Sequence, residues 1–255
     1  MEKHKIVAIT AGGPYPWAVI NALAEKFGPV TVIHEQPESK AHFLKRRAAK
    51  VGYLSTAGQF ATMMVSRLSK KVAQQRENEI IGEFGLKVVP AQDQKIITVE
   101  SANSPDCIAA IAGEKPDVVF LAGCRMLHRK TLEAIEAPVI NYHAGINPKY
   151  RGMLGGYWAR INNDVENFGT TVHLVDEGVD TGAILKQARM KPSPKDSIAT
   201  YAMLQAAHSR EICISAVMDV LEGKTTPISS DLPSKQWFHP PIWSYVWNGA
   251  TRGIW

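Results

Sequence analysis

The sequence predicts the α/β class, an open and mostly parallel sheet with helices on both faces. Three observations carry that prediction. Apolar runs at 6–10, 30–34 and 117–122 have the length and continuity of strands buried on both sides. The first two runs are each followed by a segment with helical spacing, Ala18 to Phe27 and then Glu38 to Lys50, where Phe43 and Leu44 form the inward face. Strand and helix alternating in this way wind a parallel sheet.

The elements follow in order. Ile6 to Thr10 is the first strand and Ala11-Gly12-Gly13-Pro14 the turn after it. The glycine pair is half of a dinucleotide fingerprint, but Pro14 and Pro16 have no N–H to offer a phosphate, so no nicotinamide site is expected. Between Gln59 and Phe84, Phe60, Met63, Met64, Val65, Leu68 and Val72 recur at near-helical spacing, which reads as core packing. Ile96 to Val99 is a short strand, Asp106 to Ala112 a helix, and Asp117 to Ala122 a buried strand that runs into Gly123-Cys124-Arg125-Met126-Leu127. A helix from Lys130 to Ile135 is long enough to return the chain to a neighbouring parallel strand ending at Ile140.

Beyond it come a helix from Tyr157 to Asn163 and strands from Thr170 to Val175 and from Ala183 to Met190, joined by a turn carrying Asp176, Glu177 and Asp180. Ser197 to Leu221 reads as one amphipathic helix, capped by Asp196 and stopped by Gly223. The main domain therefore spans 1–226. Residues 227–255 form an irregular tail holding four of the six tryptophans. Such aromatic density needs a surface to cover, on the domain itself, at a homodimer interface or at a ligand site.

Composition narrows the function classes. The 255 residues carry a net charge of +5 at a pI near 9.0, which favours an anionic ligand. No dense Lys/Arg stripe with interleaved aromatics marks a nucleic-acid binder. Cys107, Cys124 and Cys213 are widely spaced and odd in number, so neither a disulfide framework nor a thiolate metal site is expected, and the protein is placed in the cytoplasm. No apolar run reaches the roughly 18 residues of a membrane span.

Chemistry concentrates at 139–152. Asn141 and His143 are two apart at the end of a strand, so both side chains point the same way, at the carboxyl end where open α/β proteins place their sites. Lys149, Tyr150 and Arg151 follow in a loop bounded by Gly145, Pro148 and Gly152. With one carboxylate of the 176–180 turn, the set comprises a hydrogen-bond donor, a group that titrates near neutrality and an anion to orient it. That is an acyl-transfer set without a nucleophile: there is no G-x-S-x-G, and Cys124 has no visible activating partner. A metal at the turn lacks accompanying ligands.

Asn141-Tyr142-His143, Pro148-Lys149-Tyr150-Arg151-Gly152 and Val179-Asp180-Thr181-Gly182 together resemble the folate-dependent formyltransferases. The resemblance covers roughly 117–190 and implies a Rossmann-like formyltransferase fold and transfer of a formyl group from 10-formyltetrahydrofolate, without a metal. It implies that Asn141, His143 and Asp180 are catalytic, that Arg125, Met126, Leu127, Asp176 and Gly178 hold the folate, and that Tyr150, Arg151, Gly12 and Gly13 face the acceptor. Gly145-Ile146-Asn147-Pro148 departs from the Ser-Leu-Leu-Pro of many members.

The acceptor is approached by elimination. Gly12-Gly13-Pro14-Tyr15 does not supply the Gly-Ser-Asn phosphate loop of the glycinamide ribonucleotide enzymes. The tail is shorter than the barrel of about a hundred residues in methionyl-tRNA enzymes, and the strand at Ile6 leaves no room for the regulatory domain of the hydrolases. The expectation is an amino-sugar nucleotide of the 4-amino-4,6-dideoxyhexose type, used in surface polysaccharide synthesis. The alternatives are glycinamide ribonucleotide or another small amine, water, or a non-catalytic folate-binding protein.

Overall fold

A computed structural model describes residues 4–66 and 70–255. The first half runs β1 (Ile6–Thr10), α1 (Pro14–Phe27), β2 (Thr31–Glu35), α2 (Lys40–Val51), α3 (Tyr53–Val65), α4 (Lys70–Phe84), β3 (Ile96–Val99), α5 (Pro105–Glu114), β4 (Val118–Ala122), α6 (Arg129–Glu133) and β5 (Val139–His143). The second half runs β6 (Arg151–Gly152), α7 (Gly155–Ile161), β7 (Gly169–Leu174), β8 (Ile184–Arg189), α8 (Tyr201–Ala207), α9 (Arg210–Leu221), β9 (Gln236–Trp237) and α10 (Ile242–Arg252).

Seven strands form one sheet in the order β3-β2-β1-β4-β5-β7-β8. Strands β1 to β5 are mutually parallel, and β7 and β8 add on antiparallel. The expected mostly parallel sheet with helices on both faces is what the chain forms. Alternation along the strands divides the core. Ile6 and Ala8 of β1 pack with Val118 and Phe120 against Trp17, Ile20 and Leu23 of α1 and Cys213 and Val217 of α9. Val7, Ile9, Val119 and Leu121 point the other way, onto Cys107 and Ile111 of α5 and onto Ile135. A third apolar cluster gathers Ile80, Tyr150, Tyr157, Phe168, Tyr201 and Tyr245 beside the sheet.

Several expected elements differ. Helix α1 begins at Pro14 rather than Ala18, because proline suits a first turn whose N–H has no partner to lose. The helical stretch from Gln59 is two helices, α3 and α4, and Met64, Val65 and Val72 are exposed instead of packed in the core; Leu68 lies outside the described residues. Helix α2 buries none of its side chains completely, so Phe43 and Leu44 form no buried face. The helix expected from Ser197 to Leu221 is broken at His208–Ser209, where the Ser209 hydroxyl bonds the Gln205 carbonyl and Thr170 and so competes with the helical ladder. Asp196 caps no helix; its carboxylate takes the Arg76 Nε at 2.7 Å and the Ser193 N–H at 2.7 Å, tying α4 to the loop before α8.

The tail is not irregular throughout. It pairs β9 with β6 and ends in α10, which starts just after Pro240 and Pro241, as a proline stop followed by a helical start permits. The Trp237 ring stacks on Trp158 at 4.5 Å between centroids, and Tyr245 of α10 meets Tyr157. No helix among the described residues is long and apolar enough to cross a membrane.

Candidate active site

The carboxyl ends of β4 and β5, the 176–180 turn and one side of α2 and α8 surround a cavity of about 560 Å³. That volume is in the range of pockets for small organic ligands, about 300–1,000 Å³. Asn141 and His143 both line it, side by side on β5 as strand alternation requires. Asp180 reaches the same place from the turn between β7 and β8, with its backbone at φ 51°, a conformation that a non-glycine residue holds only when its surroundings fix it. Those surroundings are the Gly152 N–H on Oδ2 at 2.8 Å and the Asn147 Nδ2 on the Asp180 carbonyl at 3.0 Å.

Asp180 is the hub. Its Oδ2 is 3.5 Å from His143 Nδ1, its Oδ1 is 3.3 Å from His173 Nε2, and Asn141 Nδ2 donates to the same Oδ1 at 3.3 Å. Burial alone raises the Asp180 carboxyl; His143, His173 and the Gly152 N–H reverse this and hold it well below the usual carboxylate range. The group is an anion at any working pH.

The His143 Nε2 lies 2.7 Å from the Tyr150 carbonyl. A carbonyl only accepts, so this nitrogen carries a proton and donates. The loop closes tightly to make that contact: a Cβ on Gly145 would fall 2.4 Å from the Tyr150 carbonyl oxygen and 2.5 Å from His143 Nε2. Glycine is required there by space.

His173 belongs to none of the motifs that mark the site in the sequence. The structure places it opposite Asn141 in the β5–β7 pairing, with Nε2 3.1 Å from Asn141 Nδ2 and Nδ1 donating to the Leu174 carbonyl at 2.7 Å. Neutral His173 therefore accepts from Asn141, and protonated His173 donates to Asp180 and frees one Asn141 N–H. Its signal in the sequence was its position on one face of a strand with Thr171; what was missing was the register that pairs that face with β5.

Of the other predicted residues, Arg125, Met126, Leu127 and Gly178 line the cavity. The Arg125 N–H donates to Glu35 Oε1 at 2.6 Å, while the other oxygen of this buried carboxylate takes the Ala102 N–H at 2.9 Å. Glu35, unnoticed in the sequence, thus shapes the 123–127 loop from the end of β2. Asp176 builds the turn instead of facing the cavity: its Oδ1 accepts from Gly178 N–H at 3.0 Å and from Thr181 Oγ1 at 2.6 Å. Tyr150 is wholly buried with its hydroxyl on Asp164, so it gives the site a carbonyl and not a phenol. The Arg151 guanidinium is taken up by the Val179 carbonyl and the Ser234 hydroxyl. Gly12 and Gly13 form the turn into α1, outside the cavity lining. Cys124 does line the cavity, but burial first, and then Glu35, push its thiol far up, so no thiolate nucleophile is present.

The far wall combines a tail residue, at the ligand site that was one alternative for the tail, with side chains of α2 that no motif marked. Phe43, Arg46, Arg47 and Lys50 of α2 and Phe238 of the tail line it. Arg47 lies over the Phe238 ring at 4.9 Å and over the Phe43 ring at 5.4 Å. Among the described residues, no group of three or more His, Cys, Asp or Glu side chains is placed to hold a metal ion.

The geometry meets a family pattern at residues 6–217, which match the model described as formyl transferase. The chain belongs to the formyl transferase family. Among curated proteins it is 34% identical over 128 residues to the methionyl-tRNA formyltransferase of Synechococcus sp. (strain JA-3-3Ab), a match covering 50% of this chain and 39% of that protein. The chain spans less than half the length of the curated relatives it matches first. Solved structures share its fold. A glycinamide ribonucleotide transformylase 1 from Symbiobacterium toebii superposes with a TM-score of 0.57 at 18% identity, covering 92% of this chain and 94% of that one. An N-formyltransferase from Helicobacter canadensis, in complex with folinic acid and dTDP-3-aminofucose, gives 0.52 at 15% identity and covers 92% and 70%.

Proposed function

We propose that this formyl transferase moves a formyl group from 10-formyltetrahydrofolate to the amine of a nucleotide-linked amino sugar. The convergence of Asn141, His143 and Asp180 on one cavity carries the reaction class. The residues fit the donor: the cavity has room for a flat bicyclic ring, and Met126, Leu127 and Val175 give it apolar walls. Bound there, the donor supplies an electrophilic formyl carbon on a nitrogen leaving group.

Asn141 donates a hydrogen bond to the formyl oxygen as the amine attacks and negative charge develops on it, an effect worth about 10²–10³ in rate. His143 sets a positive charge beside that oxygen and, by rotating off the Tyr150 carbonyl, moves a proton between amine and leaving nitrogen, worth about 10²–10⁴. Asp180 holds the imidazolium charge in a site largely shielded from water. His173 sets the orientation of Asn141.

Support for the acceptor comes from the far wall. Phe43 and Phe238 offer ring faces, and Arg46, Arg47 and Lys50 offer cations; a nucleoside diphosphate needs both. The Helicobacter canadensis structure holds such an acceptor, a dTDP-linked amino sugar. A second reading, formylation of methionyl-tRNA, is favoured by the curated relatives. Incubation with 10-formyltetrahydrofolate and a panel of amino-sugar nucleotides, glycinamide ribonucleotide and methionyl-tRNA decides among them, read by folate absorbance and product mass. A formylated sugar nucleotide is the expected product; turnover with methionyl-tRNA alone would refute the sugar acceptor, and formate release without any amine would refute transfer.

A further inference from the structure

The face formed by α3 and α10 is exposed and apolar where a surface helix is normally charged. Helix α3 contains no charged residue. Its outward residues include Tyr53 at 86% exposure, Leu54 at 76%, Met64 and Val65. They recur at helical spacing, so they share one side. Helix α10 packs beside it: the Trp243 ring lies where a Cβ on Gly58 would be, and Thr62 Oγ1 donates to the Pro240 carbonyl at 2.7 Å. The outward side of α10 continues the surface with Trp243, Val246 and Trp247, the last 68% exposed.

The segment that carries α2 and α3 is rich in cations. Between Glu38 and Glu77 the sequence holds nine Lys or Arg residues and no Asp or Glu. Helix α2, which also packs against α3, carries Lys40, Lys45, Arg46, Arg47 and Lys50, of which Lys40 and Lys45 lie outside the cavity lining. An apolar face with tryptophan and tyrosine, edged by lysine and arginine, is the composition of a segment that lies in the headgroup region of a bilayer.

We propose that α3 and α10 dock this protein on the surface of an anionic lipid bilayer, with the exposed Lys40 and Lys45 of α2 at the headgroups. A second copy of the chain fits less well. A two-fold contact centred on α3 repeats every group on both sides, so cations would meet cations with no carboxylate in the segment to answer them. The proposal does not depend on which amine the enzyme formylates.

The test uses the full chain and two kinds of vesicle, phosphatidylcholine alone and phosphatidylcholine mixed with phosphatidylglycerol. Flotation should carry the wild type with the anionic vesicles and leave it behind with the neutral ones, and added salt should release it. The pair Leu54→Ser and Trp247→Ser should lower the partition coefficient at least about tenfold, and Lys40→Ala and Lys45→Ala about fivefold each, with melting temperatures checked to confirm folding. Failure of the wild type to float with anionic vesicles overturns the proposal. So does a folded Leu54→Ser/Trp247→Ser variant that floats like the wild type, or sedimentation showing a dimer that this variant dissociates.

Discussion

Asn141 and His173 are cross-strand partners on β5 and β7, and the carboxamide Nδ2 lies 3.1 Å from the imidazole Nε2. Because His173 Nδ1 is committed to the Leu174 carbonyl, Nε2 is the ring nitrogen that faces Asn141 and holds its carboxamide in place. His173→Ala should therefore lower kcat by about 10–100-fold while KM for the folate changes little. His173→Gln, which can still hydrogen-bond the Asn141 carboxamide, should retain more activity than His173→Ala. Steady-state kinetics of both variants check this, and a His173→Ala enzyme with an unaltered kcat would refute it.

Asp180→Asn separates charge from shape, since asparagine tolerates the positive φ at this position. Activity should fall by about 10²-fold or more as the imidazolium loses its partner. Stability carries a pH signature. The folded carboxyl titrates below its unfolded value of about 3.9, so it stabilises the fold at every pH above that value, and the contribution fades as pH falls through the lower, folded one. The wild type should exceed Asp180→Asn by about 1–3 kcal/mol at pH 7, with the gap closing in acid below about pH 4. Urea unfolding at several pH values measures it.

Strand alternation made the pairing of Asn141 with His143 legible, because a period of two depends only on the chain itself. Asp180 became legible only through resemblance, since three carboxylates of one turn look alike until Gly152 and Asn147 fix one of them. His173 and Glu35 were not legible: each acts through a partner more than 30 residues away, His173 across a strand register and Glu35 through backbone N–H groups at 102 and 125. The exposed methionine and valine of α3 misled for a related reason. Helical spacing reports that residues share a side, not which side faces the core.

Gly145→Ala tests how closely the loop sets His143. The added methyl would lie 2.4 Å from the Tyr150 carbonyl oxygen and 2.5 Å from His143 Nε2, so either the loop or the imidazole must move. Such overpacking costs about 1–3 kcal/mol, and displacing the imidazole should lower kcat about tenfold or more. A thermal melt with kinetics of the same sample separates the two effects. Unchanged kcat in a destabilised protein would show that the loop alone gives way.

The far wall yields a prediction about discrimination between the two substrates. Phe238 lies under Arg47 and Lys50. Phe238→Ala should raise KM for a nucleotide-linked acceptor by about 5–20-fold, the loss of one stacked ring and its cations, and leave KM for the folate in place. Isothermal titration with the nucleoside diphosphate alone provides the same comparison without turnover.

His239, next along the chain, links this wall to stability. Burial, and then the charge of Arg47, bring its imidazole down to about 4. A histidine whose folded value lies below its unfolded value of about 6.5 stays neutral in the fold while the unfolded chain takes up a proton. Stability therefore falls as pH drops from about 6.5 to about 4, by something on the order of 2 kcal/mol. His239→Gln should flatten that slope without abolishing activity at pH 7.5. Chemical denaturation from pH 4 to 8 measures it, and a wild-type curve no steeper than the variant's would show that His239 takes up its proton in the folded chain as readily as in the unfolded one.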